Sequence, residues 1–312
     1  MPSVTGLHHV TGICGDAQAN LDFYTGVLGL RLIKLTVNFD DPGTYHLYYG
    51  DGLGRPGTVM TFFPYPDSYQ GRVGSGSVAS TSFAIPAASF DWWVDRLAIL
   101  AVPFDLQEDR FGEKVIGLAD PDGLPIELIA SNSTPEPHPW ANMPIPVEQA
   151  IGTIHSVTLC EEASEQTNAF LTESLGFRAT TNEGARFRFE AGTGGAGTIV
   201  DVLCQPDAPH GRGGQGSIHH IAFRIPDDTQ QVTIRKSLIA DGRNLSPVMD
   251  RQYFHSIYFR EPGGVLFEIA TDGPGFTWDE PEESLGTSLK LPPHVEAMRE
   301  RVERLLPPLR LP

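Results

Sequence analysis

The chain has 312 residues, 40% of them apolar, which is material for two domains of about 150 residues, each with its own core. Its 22 Lys and Arg against 39 Asp and Glu leave a net charge of -17, which opposes contact with phosphate backbones and acidic membrane surfaces. The start MPSVTGLHH has no basic leader, no apolar run is long enough to span a bilayer, and Cys14, Cys160 and Cys204 lack the spacing of a disulfide framework or thiolate zinc site, so the expectation is a cytoplasmic protein with neither nucleic acid nor membrane as partner.

Self-similarity organises the predicted elements. A first strand is expected at Leu7-His8-His9-Val10, followed by a helix over Asp16 to Gly29. There Leu21, Tyr24 and Leu28 recur at helical spacing, Asp16 offers an N-cap and Gly29 a stop. PGTVMTFF from Pro56 closes this module with a strand. The second module opens on ASTSF from Ala79 and closes on DGLPIELI from Asp122. Between Ser131 and Gln149 five prolines, which cannot lie inside a sheet, mark a break. The third module opens on IHSV from Ile154, repeats LGLRL of residues 28–32 as LGFRA at 175–179, and closes on GTIVDVLC from Gly197. The fourth opens on IHHI from Ile218 and closes on GGVLFEIA from Gly263. The tail PPHVEAMRERVERLL from Pro292 places Val295, Met298, Val302 and Leu305 on one face of a predicted helix. The resulting division is residues 1–135, a linker 136–150, residues 151–280 and a tail 281–312.

Strict alternation along a strand lets only one histidine of each adjacent pair face a given side of the sheet. In the fourth module His219 shares a face with Ile221, Phe223 and Ile225, which should pack under a helix, so His220 faces a cavity. By the same test His9 faces inward and His8 does not, His155 goes with Val157 and Leu159, and Ser156 turns inward. Aligning SFAIP on AFRIP adds Ser80. The closing strands align Thr61, Glu127, Asp201 and Glu268. Pairing modules one and four collects His9, Thr61, His220 and Glu268, and two imidazoles with one carboxylate form the facial triad that suits non-haem Fe(II) with open coordination positions. Pairing modules two and three collects Ser80, Glu127, Ser156 and Asp201, a poor transition-metal set. The histidines at 46, 138, 155, 210 and 255 are expected to be structural or superficial.

The HH strands, together with YHLYYGDGLGRPGTVMTFFP, DWWVDRL, GTIVDVL, PGGVLFEIA, GFTWDE and SLGTSLKL, resemble the ring-cleaving dioxygenases of the vicinal oxygen chelate (glyoxalase and bleomycin-resistance) superfamily, and more narrowly the hydroquinone and chlorohydroquinone 1,2-dioxygenases. The resemblance runs along essentially the whole chain. It implies an α+β fold of four βαβββ modules in two domains, each a curved mixed sheet with helices outside. It also implies Fe(II), or Mn(II) in its place, held by His9, His220 and Glu268, with His8, His219, Arg251 and Tyr258 around the site. Alternation independently puts Tyr258 on the face opposite Ile257 and Phe259. The implied partners are a small aromatic diol and O2, and a homo-oligomer is compatible with the sequence.

The implied reaction opens a hydroquinone-type ring, with Arg251 and Tyr258 stabilising oxyanion charge and a histidine moving protons. A catechol extradiol enzyme would draw its triad from modules three and four, where Ser156 denies a ligand. Glyoxalase-type isomerisation needs a carboxylate where Thr61 stands. A metal-free binding protein is the remaining alternative, and it has no need of the triad.

Overall fold

The computed structural model describes residues 3–312. Each module contributes four strands and a helix. Module one is β1 (Gly6–Cys14), α1 (Ala17–Asp22, continued by a π-helical turn Phe23–Val27), β2 (Arg31–Asn38), β3 (Asp41–Gly50) and β4 (Val59–Pro64). Module two is β5 (Ser77–Pro86), α2 (Phe90–Ile99), β6 (Phe104–Leu106), β7 (Lys114–Ala119) and β8 (Pro125–Ser131). Module three is β9 (Thr153–Glu161), α3 (Glu165–Glu173), β10 (Arg178–Glu183), β11 (Arg186–Glu190) and β12 (Ile199–Cys204). Module four is β13 (Ser217–Ile225), α4 (Asp228–Ala240), β14 (Met249–Asp250), β15 (Phe254–Arg260) and β16 (Leu266–Pro274).

Two eight-stranded mixed sheets result, and each takes one module from either half of the chain. The first runs β14-β15-β16-β13-β1-β4-β3-β2 and joins modules four and one; the second runs β10-β11-β12-β9-β5-β8-β7-β6 and joins modules three and two. The joins are the antiparallel pairs β1 with β13 and β5 with β9. Inside each module the opening strand lies parallel to the closing one, as β1 does to β4 and β13 to β16.

Helix α1 begins where expected, with the Asp16 carboxylate accepting from the Ala19 amide at 2.7 Å. Its Leu21 and Tyr24 pack with Leu7, Val10 and Phe62 of the sheet. Gly29 ends the segment at φ +68, and a Cβ there would lie 2.3 Å from Ile145, so only glycine fits. The tail departs from expectation. It forms two short helices, α5 (Pro293–Glu296) and α6 (Arg299–Leu305), broken at Met298. The break resets the periodicity: Val295, Val302 and Leu306 are buried, whereas Met298 and Leu305 are exposed.

The two sheets meet where buried Glu161, at the end of β9, lies beside Glu261 in the β15–β16 turn. Burial, and then repulsion from Glu261, push the Glu161 carboxyl up to about 8. The folded state therefore holds a proton that the unfolded chain releases near pH 4.5. The stability it lends is complete below that pH and is lost as pH rises toward 8, at a slope of up to about 1.4 kcal/mol per pH unit. Glu161→Gln should match the parent in melting temperature at pH 5 and exceed it at pH 8.5. Parallel melting curves for the two proteins across that range would contradict the assignment.

Candidate metal centre

Each of the four opening strands carries a β-bulge at its first or second turn of pleat. Along β1 and β13 the pairing passes from Leu7–Phe223 to His9–Ala222 and from Thr11–His220 to Gly12–Ile218, so His8 and His219 are the extra residues. Ala79 and His155 are the corresponding extra residues in β5 and β9. A bulge brings two consecutive side chains toward the same region and overturns the strict alternation expected from sequence. His8 and His219 do not turn under the helices; on β1 Leu7 and Val10 do, with His8 and His9 between them. His8 is buried against Phe254, with ring centroids 5.0 Å apart, while His219 lines the central cavity.

Three donors converge across the β1–β13 seam. Glu268 Oε2 lies 3.0 Å from His220 Nε2 and 3.4 Å from His9 Nε2, and the two nitrogens are 3.3 Å apart. All three residues are buried, and among the described residues they form the metal-competent cluster of His, Cys, Asp and Glu. Ligands about 2.1 Å from one ion in neighbouring positions are separated by roughly 3.0–3.4 Å, so the triangle has the size a metal requires. The far nitrogen of each imidazole is engaged. His8 Nδ1 meets His9 Nδ1 at 2.9 Å, and His219 Nδ1 meets His220 Nδ1 at 2.7 Å, which fixes the ring orientations from behind.

Glu268 Oε1 accepts from Ser256 Oγ, whereas the buried Oε2 has no hydrogen bond of its own. Burial works against ionising this carboxyl, yet His9 and His220 outweigh it and hold it well below the usual carboxylate range. An orphan carboxylate oxygen facing two imidazole nitrogens fits a divalent cation.

The triangle opens on a cavity of about 340 Å³ walled by Phe39, Phe63, Phe254, Tyr48 and Tyr258, room for a single substituted ring by the usual size of ligand sites. Arg251 and Tyr258 are both there. Arg251 Nε donates to the Tyr258 hydroxyl at 3.2 Å, and its Nη2 reaches Asp40 at 3.1 Å across the cavity mouth. Burial, then the charge of Glu268, keep the Tyr258 phenol protonated. His46, expected to be structural or superficial, is instead a cavity residue, and with it stand Asn38, Asp40, Tyr48 and Tyr65, which sequence reasoning passed over. The larger groove of about 860 Å³ between the linker and the tail is lined by no histidine or cysteine.

The second sheet has the same plan with different chemistry. Ser82 pairs with Glu127 and Thr158 with Asp201, at the level where Ala222 pairs with Glu268 and Thr11 with Thr61. There Arg110 takes both oxygens of Glu127 at 2.6 and 2.7 Å, and Arg188 both oxygens of Asp201 at 2.8 and 2.9 Å. His155 is bound to Ser156 and Glu113. Arginine stands where the first sheet leaves a carboxylate free.

The paired βαβββ modules and the two-histidine, one-carboxylate triangle define a class. The chain belongs to the Glyoxalase/Bleomycin resistance protein/Dioxygenase superfamily, whose pattern matches residues 6–128 and 153–269. Among individual proteins, it is 42% identical over 303 residues to the Bacillus subtilis (strain 168) protein named "Putative ring-cleaving dioxygenase MhqO", covering 97% of this chain and 96% of that one. It is 34% identical over 311 residues to the chlorohydroquinone/hydroquinone 1,2-dioxygenase of Sphingobium indicum, covering 97% and 96%. A crystal structure titled "putative dioxygenase" from Bacillus subtilis superposes with a TM-score of 0.95 at 41% identity, over 100% of this chain and 99% of that one. Glyoxalase I of Zea mays, at 14% identity and a TM-score of 0.65 over 86% of this chain and 92% of that one, shares the fold. No helix among the described residues is long and apolar enough to cross a membrane.

Proposed function

We propose that the protein is an Fe(II)-dependent ring-cleaving dioxygenase that opens a hydroquinone-type aromatic diol with O2. The observation that carries this reading is the buried triangle of His9, His220 and Glu268 opening on a ring-sized aromatic cavity. Overall similarity to the Sphingobium enzyme supports the substrate class. Bound there, iron supplies open coordination positions and a route for electrons between an electron-rich ring and dioxygen. His8 and His219 hold the two ligand imidazoles in orientation. The Tyr258 hydroxyl, accepting from Arg251, keeps its own O–H to offer a developing oxyanion. His219 on the cavity wall is placed to carry a proton. Phe39, Phe63 and Phe254 exclude water from the ring.

The alternatives are weaker on specific grounds. Thr61, where a glyoxalase-type site would need a second carboxylate, is committed to Thr11 at 2.8 Å and His46 at 2.9 Å. A catechol site built from modules three and four would have to bridge two different sheets, and the module-three carboxylate Asp201 is already held by Arg188. Anaerobic loading with Fe(II), followed by oxygen-electrode traces with hydroquinone, chlorohydroquinone and catechol, tests the reading. Oxygen uptake with a para-diol is expected, and iron-loaded protein that consumes no oxygen with any of the three rings would refute it.

A further inference from the structure

One polar line in the cavity has no part in the chemistry above. Strand β3 projects His46 and Tyr48 from the same face, two residues apart. The Tyr48 hydroxyl lies 2.8 Å from His46 Nδ1, His46 Nε2 lies 2.9 Å from Thr61 Oγ1, and Thr61 Oγ1 lies 2.8 Å from Thr11 Oγ1. The line thus runs from the cavity wall to β1, two residues beyond the ligand His9. His46 is clamped between Tyr48 and Phe63, with centroids 4.0 and 4.2 Å away, and Tyr48 in turn packs on Phe276 at 5.2 Å.

Burial depresses the His46 imidazole and raises the Tyr48 phenol, so the first is neutral and the second protonated. A neutral imidazole has one donor and one acceptor, so the line runs one way or the other. In both directions the Tyr48 oxygen keeps one hydrogen-bonding valence, a lone pair or its O–H, that no protein group fills.

A ring diol bound through one oxygen brings a second hydroxyl into this cavity. In a catechol that oxygen also lies beside the ion. In a para-diol it points away and, once buried, needs a partner. On the module-four wall Arg251 is engaged with Tyr258 and with Asp40 of module one, and the remaining O–H of Tyr258 is the one assigned above to the developing oxyanion. Tyr65 accepts from Asn38 but is only half-buried, where water can serve it. Tyr48 is the buried, anchored hydroxyl with a valence to spare.

We infer that Tyr48, held in place by His46, is the contact for the second ring hydroxyl and sets a preference for para-diols. This inference rests on the reading of the preceding section and makes Tyr48 a specificity residue and His46 its positioning residue. Phenol, which is hydroquinone without the second hydroxyl, provides the test. Anaerobic titration of the iron-loaded parent should show hydroquinone binding roughly 10- to 100-fold more tightly than phenol. In Tyr48→Phe the ratio should fall to near one, with the loss of kcat/KM for hydroquinone residing in KM. A purely structural role would weaken phenol and hydroquinone together and leave their ratio in place. Equal binding of phenol and hydroquinone by the parent overturns the inference without any variant, as does a ratio preserved in Tyr48→Phe. Failure of the parent to turn over any para-diol strikes the proposed function first and is distinguishable from both.

Discussion

Glu268→Gln is expected to abolish metal-dependent turnover and to cost the metal-free protein some stability at neutral pH. The substitution keeps the side chain's shape and the oxygen that accepts from Ser256, and it removes the charge from a fully buried group. Without an ion the two imidazoles hold that carboxylate ionised against its desolvation, so neutralising it forfeits their pairing. With an ion it is the anionic ligand, and its loss should weaken metal binding by more than the roughly 10- to 100-fold typical of a residue behind a ligand. Metal titration, oxygen uptake and thermal melting of the metal-free form separate the two effects. A variant that binds one equivalent of Fe(II) and consumes oxygen at the parent rate would remove Glu268 from the site. A fall in melting temperature with metal binding and turnover intact would mean that the carboxylate is only structural.

The second large effect is expected far from the ion. Lys34, on β2, is completely buried, donates to Asp279 at 2.6 Å and to Glu280, and lies 4.9 Å from the centre of the Tyr253 ring. Asp279 also accepts from the Tyr253 hydroxyl at 3.0 Å and from the Gln252 side chain at 2.8 Å. The cluster therefore ties the residues leading into the tail to the segment that carries Arg251 and Phe254. Breaking a buried ion pair from one side typically costs about 3–5 kcal/mol because the partner charges stay behind. Lys34→Met should thus lower the melting temperature by on the order of 10 °C. Adding Asp279→Asn and Glu280→Gln should restore much of the loss, since the penalty lies in the abandoned carboxylates and the sites are coupled. If Lys34→Met melts with the parent, the cluster is not what holds the tail.

How much of this the sequence discloses depends on which physical rule each residue obeys. The repeat signal located every opening and closing strand, and alternation on the closing strands put Thr61, Glu127, Asp201 and Glu268 at one level, as the parallel pairings have them. His9 and His220 were also placed together by that reasoning. Alternation failed at His8 and His219 because a bulge suspends it locally. The signal was present: Leu7 and Val10, Ile154 and Val157, and Ile218 and Ile221 are apolar at a spacing of three, which a regular strand cannot bury on one side. His46 and Tyr48 were missed for another reason. Nothing in YHLYY tells which sheet face becomes a cavity until the modules have paired. The tail helix erred through a break at Met298 that no proline or glycine announces.

The pairing of β1 with β13 also bears on the order of events during synthesis. His220 emerges 211 residues after His9, which at the usual pace of translation is a delay of roughly 10–40 s. For that interval β1 waits for β13, and β5 waits a shorter time for β9, each with an open edge of the kind that recruits other chains. A product cut short in the linker would keep those edges exposed. Neither half contains the whole triangle of His9, His220 and Glu268, so a metal held there would mark a chain whose two halves have closed on each other.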